Sequence, residues 1–529
     1  MKDPKKTESA GLTRRDALKI SGLALGGLAV GGAMMGPGAG RVEAGEECPA
    51  VGECAWPNTP DVTQRYSYFF ESLDTFDPID PETKMYKPPE PDEMRITFLG
   101  SCIPPVRRAQ QMMSVFVEVG SAMGKPDQFV FDCGSGVCAN YGAMGIGFGR
   151  MDKVFIAHLH GDHMSDLTHI YCFGPSADRK SPLYVWGPGP SGVKSPTYPF
   201  RAYADGTEAF CRNMRKAWRW HSESFSFQTT SCAGYEPPTK ESWGLPADPV
   251  PVWDEAPDDA YSLVPIELDW TKYGEVPGDN VAYHNRETGV KITHFPVIHT
   301  RKGSIGYKLE WNGLSMIYTS DTKPEIHSRD QAINRDFRGV PKGVDVFIHE
   351  MVVPAEVWAF KNMGLAEAPP PGANADFDMT VEELTRVQNS SHTPQGAFGY
   401  LLSQINPRPR LTVATHFPVA DDTVECALNS VRAHCPEVVM DKDVGNMVWS
   451  FDLMVLRAFA GDPKPPIQQL RAVVSDYGFS PMYPVIPNQN TPKYHTPDGE
   501  GDPYAQIDTS TEIPPVDENG NCNYREDGY

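Results

Sequence analysis

A layered α/β sandwich is the fold class that this sequence predicts, on three observations. Short apolar segments with strand character form two groups, one within residues 94–157 and one within 290–414. Segments with helical patterning lie between the later strands, at 380–390 and 393–405. Several apolar runs stop abruptly at an Asp or a His, as strands do when their ends face a site.

The first group opens at Met94–Gly100, an alternating apolar strand that ends in glycine. Met113–Val119 reads as the next strand, and Gln128–Phe131 as a third that stops at Asp132-Cys133-Gly134-Ser135-Gly136. Lys153–Ala157 is a buried strand with a histidine cluster at its C-terminal end. From about 191 to 286 Pro, Trp, Tyr and acidic residues dominate, which predicts an insertion rather than core strands. Its tryptophans 218, 220, 243, 253 and 270 serve either a pocket or, the stronger expectation, irregular packing. Strands resume at Val290–Val297, Gly306–Glu310, Ser315–Thr319, Val344–Ile348 and Arg410–Ala414. Thr380-Val381-Glu382-Glu383 has the capping-box pattern and predicts a helix start. The main domain is therefore expected over 94–457, with an irregular arm over 45–93 and an extended tail over 458–529.

Arg14-Arg15 precede a glycine- and alanine-rich apolar run from Ile20 to about Met35, too short for a comfortable membrane span. Val42-Glu43-Ala44 adds small residues at a peptidase-like spacing. Residues 1–44 thus predict a twin-arginine export signal, the translocation machinery as a partner, and no stable membrane span after processing. The expected location is the periplasm or another exported site. A formal net charge of -22 and the lack of a Lys/Arg-rich stripe exclude nucleic acid as the expected partner. The 11 cysteines contain close pairs at 48/54, 133/138 and 426/435, and none has the spacing of a Cys-based zinc site.

The chemistry concentrates in His158-Leu159-His160-Gly161-Asp162-His163. Histidines at i and i+2 on extended backbone point to one side and can grip one metal. Asp162 and His163 follow a glycine that lets the chain turn toward a second metal. His299, Asp321 and His416 each stand just past an apolar strand, where polar groups gather along one sheet edge.

The order Asp132, His158/His160/Asp162/His163, His299, Asp321, His416 resembles the metallo-β-lactamase superfamily. It is most similar to the branch of ribonuclease Z and related phosphodiesterases and arylsulfatases. Further stretches that carry this resemblance are Val185-Trp186-Gly187-Pro188, Thr319-Ser320-Asp321-Thr322, Phe347-Ile348-His349-Glu350 and Ser391-His392-Thr393. The resemblance covers about Met94 to Phe451 and implies a four-layer αββα metallo-β-lactamase sandwich. It implies two divalent metal ions, zinc above all. His158, His160 and His299 would hold one; Asp162, His163 and His416 would hold the other, with Asp321 shared. Asp132 would brace the histidine loop, and a hydroxide bridging the metals would attack a small ester, a phosphodiester or sulfate ester first among them. Asp162 and His392 are the expected catalytic residues, His392 as the acid beside the leaving group, with His349 and Glu350 in support. Loading the metal before export is the usual reason for a twin-arginine route.

Three departures weaken a transfer-RNA substrate, one being that Phe417-Pro418-Val419-Ala420-Asp421-Asp422 after His416 lacks the serine- and arginine-containing continuation expected of that branch. One residue more than in ribonuclease Z separates His299 from Gly306-Tyr307, and no basic, glycine-rich arm is present. Lactone or carboxylic-ester hydrolysis on the same site is the alternative, and iron-dependent redox chemistry on the same scaffold is another.

Overall fold

The computed structural model describes residues 72–104, 109–223, 231–253, 256–335, 338–365 and 368–474. The expected export signal, residues 45–71 of the arm, Cys48, Cys54 and residues 475–529 of the tail lie outside the described residues. The chain builds one sheet, then a second, and returns to the first. Strands β1 (Asp74–Phe76), β2 (Glu93–Gly100), β3 (Ser114–Val119), β4 (Asp127–Phe131), β5 (Lys153–Phe155), β6 (Leu183–Pro188) and β7 (Leu263–Leu268) come first. Then follow β8 (Val281–Asn285), β9 (Val290–Pro296), β10 (Ile305–Trp311) and β11 (Leu314–Tyr318). A small ribbon, β12 (Ile333–Arg335) and β13 (Pro341–Gly343), precedes β14 (Val346–Glu350), β15 (Leu411–Thr415) and β16 (Met447–Trp449). Finally β17 (Met454–Phe459) and β18 (Gln468–Ala472) rejoin the first sheet. The nine-stranded sheet has the order β1-β18-β17-β2-β3-β4-β5-β6-β7 and the seven-stranded sheet β16-β15-β14-β11-β10-β9-β8.

Period-two alternation explains why both sheets are buried. Along β4 to β6, Phe129, Phe131, Phe155, Tyr184 and Trp186 face the second sheet, and Phe155 stacks on Trp186 at 4.5 Å between ring centroids. The intervening Val130, Val154 and Val185 face outward, under the helices Val137–Met144 and Leu167–Phe173. On the far side, Phe398 of the helix Gln395–Gln404 packs 5.1 Å from the ring of His349 on β14. Helix, sheet, sheet and helix form the αββα sandwich.

Three expectations need correction. The insertion is narrower than 191–286, because β7 and β8 are edge strands of the two sheets. Its polar flanks masked them, since an edge strand needs only one well-covered side. The domain also extends past 94–457: β1 pairs in parallel with β18, which draws part of the arm and the start of the tail into the first sheet. No helix starts at Thr380. The helix Ala375–Ser391 is capped by Asn374, whose side chain accepts from the Phe377 amide at 3.1 Å. The Thr380 hydroxyl instead donates back to the Asp376 carbonyl at 2.7 Å, the mid-helix alternative for a threonine.

Cys133, Cys138, Cys426 and Cys435 are all free thiols in this structure. Among the described residues, no helix is long and apolar enough to cross a membrane.

Candidate metal centre

In each sheet the strands nearest the site run parallel, β4 to β7 in the first and β11, β14, β15 and β16 in the second. Parallel strands deliver their C-terminal ends to one edge, and there the polar residues collect. Asp132 follows β4, His158–His163 follow β5, His299 follows β9, Asp321 follows β11, Glu350 ends β14 and His416 follows β15.

The structure brings together all seven residues expected to bind metal, in two groups. His158 Nε2 lies 3.0 Å from His160 Nδ1, and His299 Nε2 lies 3.1 Å from that same atom. Around Asp321, one carboxylate oxygen is 3.2 Å from His163 Nε2 and 3.5 Å from His416 Nε2. The other carboxylate oxygen is 3.7 Å from His299 Nε2. Asp162 completes the second group, 3.4 Å from His163 Nε2 and 3.3 Å from His416 Nε2. Ligand atoms about 2.0–2.1 Å from a tetrahedral ion stand roughly 3.3 Å apart. The donors are therefore spaced as a cation would space them, and each group could hold a metal ion.

Unsatisfied atoms point the same way. His163 Nε2 and Asp321 Oδ1 are buried and without a hydrogen-bond partner. A buried polar atom left unpaired costs roughly 1–3 kcal/mol, which a coordinated cation would remove. The opposite faces of the rings are tied down. His163 Nδ1 donates to Asp132 at 2.8 Å, and His299 Nδ1 donates to the Ser391 carbonyl at 2.9 Å. Such contacts set the tautomer that leaves Nε2 for a metal.

Asp132 touches no other member of the donor set and acts as a hub. Its carboxylate accepts from the Ala157 amide at 2.8 Å, the Tyr318 hydroxyl at 2.6 Å and the Ser320 hydroxyl at 2.9 Å. Asp132, Ser320 and His416 all have positive φ, near 54°, 54° and 58°, so three strand ends turn sharply into the site. Gly134 is required for a different reason: a Cβ there would stand 2.1 Å from the Asp162 carbonyl oxygen. The turn after His160 needs no such freedom, because Gly161–Met164 is a short helical turn.

Charge follows this geometry. Burial holds the His158 and His160 imidazoles below the usual histidine range, and takes His299 down to about 4. Burial opposes the charge on His163 as well, but Asp321, Asp162 and Asp132 around it push its pKa well up. Burial likewise opposes ionisation of Asp321, and the His416 and His163 imidazoles override it and hold the carboxyl far below its ordinary range.

His349 and Glu350, expected as a supporting pair, separate. Successive residues of a strand face opposite sides. Glu350 turns into the site, accepts from His392 Nδ1 at 2.9 Å and accepts the Thr322 amide at 2.5 Å. His349 turns into the core between Phe347 and Phe398. Sequence reasoning missed Tyr318, Ser320 and the Ser391 carbonyl; only Tyr318 carried a signal, as an inward position of β11. The tryptophans of the polar stretch do not border the cleft beside the histidines. Trp243 packs on Trp186 and Tyr283, Trp270 donates to the Pro190 carbonyl at 3.0 Å, and Trp220 is exposed.

Fold and site together define a protein of the metallo-β-lactamase fold. No family model matches the chain. Ribonuclease Z of Mycolicibacterium gilvum (strain PYR-GCK) is 27% identical over 241 residues, 44% of this chain and 62% of that protein. Ribonuclease BN of Salmonella typhi is 30% identical over 95 residues, 18% of this chain and 31% of that protein. The chain thus spans less than two thirds of the length of either relative. Among solved structures, the metallo-β-lactamase fold protein YhfI from Bacillus subtilis superposes with a TM-score of 0.38 at 13% identity, over 69% of this chain and 100% of that one. Human tRNase Z, short form, gives 0.37 at 15%, over 68% and 98%. Superpositions this loose add nothing to the evidence of the two sheets.

Proposed function

We propose that this protein is an exported, dinuclear metal-dependent hydrolase of a small phosphodiester or sulfate ester, with zinc as its metal. The observation that carries this reading is the position of Asp321. Its two carboxylate oxygens face different donor groups, one toward His163 and His416 and the other toward His299. A carboxylate so placed is suited to join two cations about one reaction centre. Two divalent ions there would supply Lewis acidity to the ester oxygens and water made acidic enough to ionise near neutral pH.

The chain's own residues do the rest. Asp132 fixes the His163 ring through Nδ1, and the Ser391 carbonyl fixes His299 in the same way. Burial opposes a charge on His392, but Glu350 and then Asp321 beside it raise its pKa to about 9. Both carboxylates favour the protonated ring. Nδ1 is committed to Glu350, which leaves Nε2 to protonate a departing oxygen. The paired arginines 14 and 15 before an apolar run support export by the twin-arginine route, with the cations loaded first.

The test is metal content together with hydrolysis of bis(p-nitrophenyl) phosphate by the mature protein, beside His160→Ala. Two ions per chain, with turnover that the variant loses, is the expected result. Bound metal without turnover of phosphate, sulfate or lactone analogues would overturn the hydrolase reading, and absence of metal would overturn the centre itself.

A further inference from the structure

Beside His158, His160 and His299 a cleft of about 390 Å³ opens. Its size suits a small ligand rather than a polymer. One wall comes from the loop Thr300–Ser304, and the facing wall from Pro188–Asn213, which includes the first part of the polar insertion. This loop carries two cations, Arg301 and Lys302.

Those cations differ. Arg301 forms an ion pair with Asp205, reaches the Ser191 hydroxyl at 3.4 Å and lies over the Tyr203 ring at 5.2 Å. Asp205 in turn accepts the Ser191 amide at 2.9 Å and its hydroxyl at 2.6 Å. Arg301 is thus neutralised, and it pins the insertion to the loop. Lys302 borders the same cleft, is exposed and has no ion-pair partner among the described residues. In a chain of net charge -22, an uncompensated lysine at the mouth of the metal cleft is a selective feature. Gly303, which follows Lys302, is buried and has a positive φ of 108°, so the loop turns inward directly after the lysine.

We infer that the substrate carries a second anionic group, apart from the scissile ester, and that Lys302 binds it. The inference rests on the hydrolase reading for the word substrate, but the recognition it describes can be measured without turnover.

Calorimetric titration of the full chain with thymidine 5′-monophosphate and with thymidine 3′,5′-bisphosphate isolates the second anion, because both share the first phosphate. The bisphosphate should bind about fivefold to tenfold more tightly, the worth of one charge-assisted contact at a half-wet rim. Lys302→Gln should bring the ratio to near one, Lys302→Glu should invert it, and added salt should compress it in the natural protein. Equal binding by the natural protein, no binding of either ligand, or a preference that survives Lys302→Gln would overturn the inference. Turnover of bis(p-nitrophenyl) phosphate with a ratio of one would sink this inference and leave the hydrolase standing. A Lys302-dependent ratio without any turnover would do the reverse.

Discussion

The two halves of the metal centre are built on opposite plans. His163, Asp321 and His416 are buried, and their outer atoms meet further protein: Asp132, Tyr318 and Ser320 on one side, Glu350 on the other. His160, by contrast, is exposed and leans only on Thr300, at 3.4 Å, besides its two neighbouring imidazoles. His158 and the His299 ring are buried too, so the contrast is between His163 and His160. Removing His163 should therefore damage the fold, whereas removing His160 should damage chemistry alone.

The sharpest way to break this contrast is His163→Ala beside His160→Ala. Loss of His163 leaves the buried Asp132 and Asp321 carboxylates without their imidazole partner, a change of about 3–5 kcal/mol in stability. Compared metal-free, His160→Ala should leave the unfolding midpoint in denaturant almost unchanged, while lowering the metal content of the loaded protein. Similar midpoints for the two variants would refute the division.

Glu350→Gln tests whether inner residues also reach the chemistry. It removes the charge that holds the His392 proton, so turnover of esters with poor leaving groups should fall by about 100-fold. Esters of p-nitrophenol, which leave unaided, should lose far less. An equal loss for both would reduce Glu350 to a purely structural part.

His294 supplies a smaller comparison, between two buried histidines with opposite surroundings. Carboxylates push His163 up, whereas at His294 burial outweighs Asp269 and Asp279 and takes the ring down to about 4. The folded pKa of His294 lies below the unfolded value of about 6.5, so the unfolded chain binds the proton first. Its contribution is complete above pH 6.5 and declines as pH falls toward 4, with about 2 kcal/mol lost at pH 5. In His294→Gln that part of the slope should vanish from denaturation curves taken between pH 4 and 6.5. An unchanged slope would place the acid sensitivity elsewhere.

The cleft teaches a related lesson about what can be seen in a chain of letters. Seven of the site's donors were legible because histidine is scarce, with only 14 in the chain, and because a His or Asp just past an apolar strand is a local pattern. The two strand-rich groups were legible for the same reason, since period-two alternation is written in neighbouring residues. Edge strands β7 and β8 were not, because Pro265 and Glu267 in one and His284 and Asn285 in the other blend into the polar stretch around them. The helix Ala375–Ser391 was misplaced because Thr380-Val381-Glu382-Glu383 satisfies one local rule, while Asn374, capping through the Phe377 amide, satisfies another six residues earlier.

By itself, then, the sequence determined the donor types, their order and the sandwich that presents them, since each depends on residues within a few positions of one another. Only the tertiary structure decided that Glu350 rather than His349 reaches His392, and that Tyr318 and Ser320 donate to Asp132. Only the tertiary structure decided, too, that Arg301 is spent on Asp205 while Lys302 stays open to the cleft. These are matters of which face a strand turns and which distant segment arrives opposite it. Packing between segments tens of residues apart settles them, and no local spacing records the outcome.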